Sequence, residues 1–210
     1  VPPAGGEEIV EKLKDADAVL LFHLSGHGGG APAEAMQRIV DAGLPTAVFS
    51  QPFSGHGWMY FPQWKKEGKK VVLLPTSDWS EIDRIAGLMR VAPRMRQTRI
   101  LVIRGPLGTP AACSAEQVKE RLGTELIPIT VEETLEAFNA VDPAAAEAEA
   151  EEYWIRPAKA VVEPTREEIV AASRFYLALK DLMLAHGAQA VTSSNCMGDP
   201  AKGCFAFSKL

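Results

Sequence analysis

Short runs of apolar residues alternate along this chain with longer stretches whose apolar positions recur every three or four residues. The first pattern suits a strand covered on both faces, the second a helix covered on one side. Their alternation predicts parallel β–α–β units. The first run, Ala18-Val19-Leu20-Leu21-Phe22, leads into a glycine-rich turn, Ser25-Gly26-His27-Gly28-Gly29-Gly30. A helix fits residues 32–42, with Pro32 in its first turn and Gly43 as its stop. Strands at 46–50 and 70–74 follow, with an irregular stretch over 51–64 between them. A further helix fits 79–90, with Ser77 or Asp78 able to cap it.

Residues 92–97, Ala-Pro-Arg-Met-Arg-Gln, are basic, contain a proline and carry no pattern, so a domain boundary is expected there. The division places an amino-terminal α/β domain at 1–95 and a second at 96–210. The second opens with a strand at 99–104 and a helix at 114–122 that Gly123 ends. A strand over 126–129 carries Pro128, which predicts an edge position. Helices fit 131–140, the Ala/Glu-rich segment 143–154, and 165–186, where Ile169, Phe175, Leu179, Leu182 and Met183 keep helical spacing. Thr165-Arg166-Glu167-Glu168 has the form of a capping box, and Gly187 closes that helix before a last strand over 188–193. The fold class expected is α/β: two consecutive three-layer, Rossmann- or flavodoxin-like domains with mostly parallel sheets.

Charge narrows the partners. Among 210 residues, 22 Lys and Arg against 27 Asp and Glu give a net charge of −5, so nucleic acid and anionic membrane surfaces exert no general pull. No apolar run approaches the roughly 20 residues that span a bilayer. Three cysteines, Cys113, Cys196 and Cys204, are too few and too odd for a disulfide framework, which suits a reducing, cytoplasmic compartment.

Loops after the carboxyl ends of parallel strands are where such sheets hold ligands, and four of them carry unusual residues. His27 sits among glycines whose bare N–H groups could cradle an anion, although neither a dinucleotide fingerprint nor a phosphate-binding P-loop pattern is present. His27-Gly28-Gly29-Gly30 also matches an esterase oxyanion motif, but no G-x-S-x-G elbow follows. The alternative is a flexible turn that lets a helix pack closely. The second loop, from Ser50 to Phe61, gathers hydroxyl, amide, imidazole and indole groups. Aromatic faces beside convergent hydrogen-bonding groups suit a polyhydroxylated ligand; the alternative is a small hydrophobic cluster under a long loop. The third, Pro75 to Trp79, reads as a helix cap. In the fourth, 193–204, Asn195 and Cys196 could line a pocket, while Cys204 in its apolar run reads as a buried, inert thiol.

Acidic residues fall mostly on helix faces, and Asp78 and Asp199 are the only carboxylates in strand-end loops. The residues therefore offer a ligand surface without a complete metal or proton-transfer site, and no catalytic residue is assigned. His186, at the end of a helix, complements its dipole.

The second half carries a resemblance. Arg174-Phe175-Tyr176-Leu177-Ala178-Leu179-Lys180 leads through Gly187-Ala188-Gln189-Ala190-Val191-Thr192 to Asn195-Cys196, then to Gly203-Cys204-Phe205-Ala206-Phe207-Ser208. This resembles the L-fucose isomerase and L-arabinose isomerase superfamily, and more closely the fucose-isomerase-like proteins. The resemblance implies a three-domain aldose–ketose isomerase acting through an enediol. Its divalent metal, usually manganese, is held by carboxylates and a histidine that lie downstream of Leu210 in the family pattern. It implies a chain cut before its first strand and after its second domain, inactive by itself. It also implies an oligomer in which the first domain contributes substrate contacts to a neighbouring subunit, a role that suits His27, His56 and Trp58.

The function expected is thus that of a fragment of a metal-dependent sugar isomerase. His27, Gln51, His56, Trp58, Asn195 and Cys196 are its expected sugar-contacting residues. A carbohydrate-binding α/β protein without catalysis, gripping sugar between 51–61 and 195–204, is the first alternative. A regulatory protein whose aromatic loop binds a partner is the second.

Overall fold

The computed structural model describes residues 6–24, 31–52, 56–105, 114–194 and 203–210. The chain divides into two compact units, Val1–Pro93 and Arg94–Leu210. Both are α/β with parallel sheets.

In the first unit α1 (Gly6–Lys12) precedes β1 (Val19–His23), α2 (Ala31–Asp41) and β2 (Thr46–Ser50). A single 3₁₀ turn (Gly57–Met59), α3 (Phe61–Lys66), β3 (Val71–Leu74) and α4 (Ser80–Met89) follow. The strands run parallel in the order β1-β2-β3, with Phe22 opposite Phe49 and His23 opposite Ser50. Every residue of the central β2 is buried, as its unbroken apolar run requires. Its alternate side chains feed two cores. Val48 packs with Met36 and Val40 of α2 and Trp64 of α3. Ala47 and Phe49 pack on the opposite face with Leu74 of β3 and Ile85 of α4. Helices thus cover both faces, giving three layers. Right-handed crossovers advancing in one direction put α2 and α3 on the same side.

Part of the stretch expected to be irregular is helical. Pro62 in the first turn of α3 presets its backbone, and Trp64 anchors it: the indole is 1% exposed, stacks on Tyr60 at 5.7 Å and donates from Nε1 to Gln37 Oε1 at 2.8 Å. With six residues, α3 is too short for helical periodicity to emerge from sequence.

In the second unit β4 (Arg99–Ile103) leads through α6 (Ala115–Leu122) to β5 (Glu125–Ile129). Helices α7 (Val131–Ala140), α8 (Pro143–Glu149) and α9 (Arg166–His186) then lead to β6 (Ala190–Ser193), and α10 (Gly203–Phe207) follows. The segment 92–97, expected to be unpatterned, belongs instead to a short helix, α5 (Val91–Gln97), across which the two units divide. The parallel order β5-β4-β6 leaves β5 at an edge, where Pro128 costs no ladder bond in the sheet interior. The path from β4 to β5 and back past β4 to β6 reverses direction, so α6 and α9 take opposite faces. Leu101, Ile103 and Ile129 of the sheet meet Phe175, Leu179 and Leu182 of α9 and Ala206 of α10 in one core.

Helix ends follow their sequence signals. Thr165 and Glu168 form the complete capping box, and Gly187 ends α9 at φ +59°. Gly123 ends α6 at φ +74°, and a Cβ there would lie 2.9 Å from Arg96 Cα. Gly123→Ala is therefore expected to destabilise the chain by more than about 1 kcal/mol, read as a lowered denaturant midpoint with an unchanged slope.

Two details differ from expectation. The Ala/Glu-rich helix leaves α geometry after Glu149 and continues as a π-helical segment, Ala150–Ile155. Its Tyr153 ring and the Tyr176 ring receive the Lys209 ammonium at 3.8 Å and 4.5 Å from their centroids, and Lys209 also meets Glu149. Cys204 is exposed rather than buried, because its apolar run folds as a helix that turns Gly203 and Ala206 inward. Among the described residues no helix is long and apolar enough to cross a membrane.

Candidate functional site

The carboxyl ends of β1 and β2 finish side by side on polar residues. His23 and Ser50 are register partners, 8% and 2% exposed. The Nδ1 atom of His23 and the Oγ atom of Ser50 are both buried with no hydrogen-bond partner among the described residues. An unsatisfied buried polar group costs roughly 1–3 kcal/mol, so two in register is an arrangement that packing alone disfavours. The ladder continues past them: Gln51 N donates to the His23 carbonyl at 3.3 Å. This brings Gln51 to the rim of the same two strands.

His56 stands just before the 3₁₀ turn, its carbonyl accepting from Met59 N at 3.0 Å. Its ring centroid lies 6.4 Å from that of Trp58 at a tilt of 45°. Trp58 itself is 56% exposed. Burial pushes the pKa of His23 down, and the nearby His56 charge pushes it in the same direction. His23 is thereby held neutral at neutral pH, with one ring nitrogen donating and the other accepting. Together with the Ser50 hydroxyl and the Gln51 amide, this imidazole offers both donors and acceptors at one place, which is what vicinal hydroxyls require.

The sign of the His23 shift sets a pH dependence. Because its folded pKa lies below the ordinary 6.5, the unfolded chain takes up a proton first on acidification. The stability tied to neutral His23 is complete above that ordinary value and drains away as pH falls through the folded one. The pH profile of the denaturant midpoint is expected to decline on that acid side and to flatten there in His23→Gln.

A second aromatic group lies on the other face. Trp79 is half-exposed, stacked on Phe22 at 6.1 Å and 21° and packed on Phe49 at 5.1 Å and 34°. Phe22 and His23 are successive strand residues, so the aromatic stack faces α4 while the imidazole faces the α2–α3 side. The N-cap of α4 is Trp79, with no side-chain cap, rather than Ser77 or Asp78; just before it Asp78 Oδ1 accepts from Ser80 N at 2.9 Å and Ser80 Oγ at 2.7 Å. These bonds hold the Asp78 carboxyl below its usual range.

Of the six expected sugar-contacting residues, Gln51, His56 and Trp58 gather around the β1–β2 ends. His27, Asn195 and Cys196 lie outside the described residues. Sequence reasoning passed over His23 and left Ser50 as one polar residue among many in a loop. The available signal was a polar residue closing each of two apolar runs, Val-Leu-Leu-Phe-His and Thr-Ala-Val-Phe-Ser.

Manganese favours carboxylate oxygens, whereas the set here is imidazole, hydroxyl and amide. Among the described residues no group of three or more His, Cys, Asp or Glu side chains could hold a metal ion. The described residues at these strand ends do not make a manganese site. In the second unit His186 does more than end its helix: its Nε2 lies 3.1 Å from Glu133 Oε1. An open groove lined by Arg96, Thr98, Arg99, Glu125 and Gly187 lies at the amino ends of that sheet, the end opposite to where parallel sheets hold ligands. Arg99 and Glu125 there are already paired, at 3.1 Å.

No protein-family model matches this chain, and no curated protein matches it.

Proposed function

We propose that this chain is a sugar-holding part of an aldose–ketose isomerase of the L-fucose and L-arabinose isomerase-like kind. The sugar sits at the carboxyl ends of β1 and β2, in an oligomeric, cytoplasmic protein. The observation that carries this reading is the pair of buried, unpartnered polar atoms, His23 Nδ1 and Ser50 Oγ, side by side at strand ends. Gln51 adds an amide, His56 a second imidazole, and Trp58 an exposed ring to cover the C–H face of a pyranose. In this reading these residues bind and orient the ring. The metal and its carboxylate ligands come from outside the residues described, and the metal would polarise the carbonyl and hydroxyl oxygens during proton transfer.

Calorimetric titration with a panel of aldoses and their partner ketoses tests the reading. An isomerase site accepts both members of one aldose–ketose pair in mutual competition. His56→Ala is expected to weaken that binding about tenfold, the worth of one good hydrogen bond. Conversion of the aldose, supported by manganese and stopped by a chelator, is expected of the protein that carries this chain. Binding of a sugar with no conversion supports the non-catalytic carbohydrate module. An unchanged affinity in His56→Ala removes that residue from the site.

A further inference from the structure

We propose that the β1–β2 ends form an anion subsite, so that the ligand carries a phosphate or carboxylate group held by His23, Ser50 and His56. This rests on the placement of the ligand site given above and specifies the class of sugar it takes. His23 Nδ1 and Ser50 Oγ lie on register partners, both buried and without a hydrogen-bond partner among the described residues, and the His56 charge acts on His23 in the direction that opposes its protonation. The Ser50 hydroxyl, 2% exposed, supplies a donor beside His23.

The first carboxylates after β1 and β3 are Glu34, in the first turn of α2, and Asp78. Residues 24–33 after β1 and 51–66 after β2 contain no Asp or Glu. Helix α2, eleven residues long, begins directly after the first of these loops and turns the positive end of its dipole toward the strand ends. Of the ionisable residues on the helices covering this face, Glu34, Arg38 and Asp41 of α2 and Lys65 and Lys66 of α3 are all exposed. Among the described residues His56 is the charged group that acts on His23. A bound anion supplies a counter-charge to His23 and favours its protonated form, so binding is linked to proton uptake.

The test is a titration of the histidine ring resonances of the whole chain with inorganic phosphate, sulfate, a sugar phosphate, a carboxylate sugar and the neutral parent aldose. It is run at about pH 6 and about pH 8, on either side of the imidazole range. Sulfate keeps its charge across that interval and isolates the protein's own titration. The expected result is movement of the His23 and His56 signals by each anion, with sulfate binding at least about tenfold weaker at the higher pH. The sugar phosphate is expected to bind more tightly than the neutral aldose. His56→Gln, a half-buried position, is expected to weaken anion binding at the lower pH while leaving the remaining spectrum unchanged, and His23→Gln is expected to remove the pH dependence.

Movement of the two signals by the neutral aldose, with the anions inert, overturns the anion subsite and leaves the sugar reading standing. Inert histidines with every probe overturn both. Anion binding that spares His23 and His56 is an adventitious ion only and overturns the subsite. A carboxylate sugar that outcompetes the sugar phosphate identifies the acidic sugar as the source of the anion and supports it.

Discussion

Truncating Trp64 to alanine is expected to destabilise the first unit by roughly 3–5 kcal/mol, the range for removing a large buried aromatic ring. At 1% exposure the ring closes the core between α2, α3 and β2, packing with Met36, Val40 and Val48. It also stacks on Tyr60 and satisfies Gln37, so truncation leaves both a cavity and an unpaired amide oxygen. The loss is read as faster amide exchange across β1, β2 and β3. Trp79→Ala provides the contrast. That ring is 55% exposed, and its removal is expected to cost well under half as much. Equal losses at the two positions would contradict the packing described for α3.

Replacing Ser50 with alanine is expected to move stability and binding in opposite directions. The hydroxyl is buried and unpartnered, so removing it relieves desolvation and stabilises the chain by about 1 kcal/mol. In the proposed reading the same change deletes a group that a bound sugar would satisfy, and affinity is expected to fall by about tenfold. Ser173 is the control, since its hydroxyl is equally buried and unpartnered but lies within α9. Ser173→Ala gains from the same relief and from helix propensity, and leaves ligand affinity unchanged. A Ser50→Ala chain that is more stable and binds equally well would mark Ser50 as a packing residue.

Much of the fold was legible because its strongest patterns are local. The run Thr46–Ser50 is unbroken because β2 is covered on both faces. The twenty-one residues of α9 carry their cap, stripe and stop in sequence order. Short elements escaped, because α3 and α10 hold six and five residues and complete no helical repeat that could be recognised. The exposed Cys204 is the same failure seen from one side chain, an apolar run read as buried that turns only part of itself inward. The site divides similarly. Gln51, His56 and Trp58 of the candidate site were singled out by loop composition, which needs no knowledge of pairing. His23 and Ser50 were not, because their meaning lies in the register of β1 against β2 and in the burial that follows.

The central claim is that a sugar occupies the carboxyl ends of β1 and β2, and resonance mapping of the whole chain with the aldose that binds tests it most directly. The account predicts that saturation shifts the signals of His23, Ser50, Gln51, His56 and the Trp58 indole together, with one shared dissociation constant. Saturable binding that leaves these five unmoved, whatever else it moves, would contradict it.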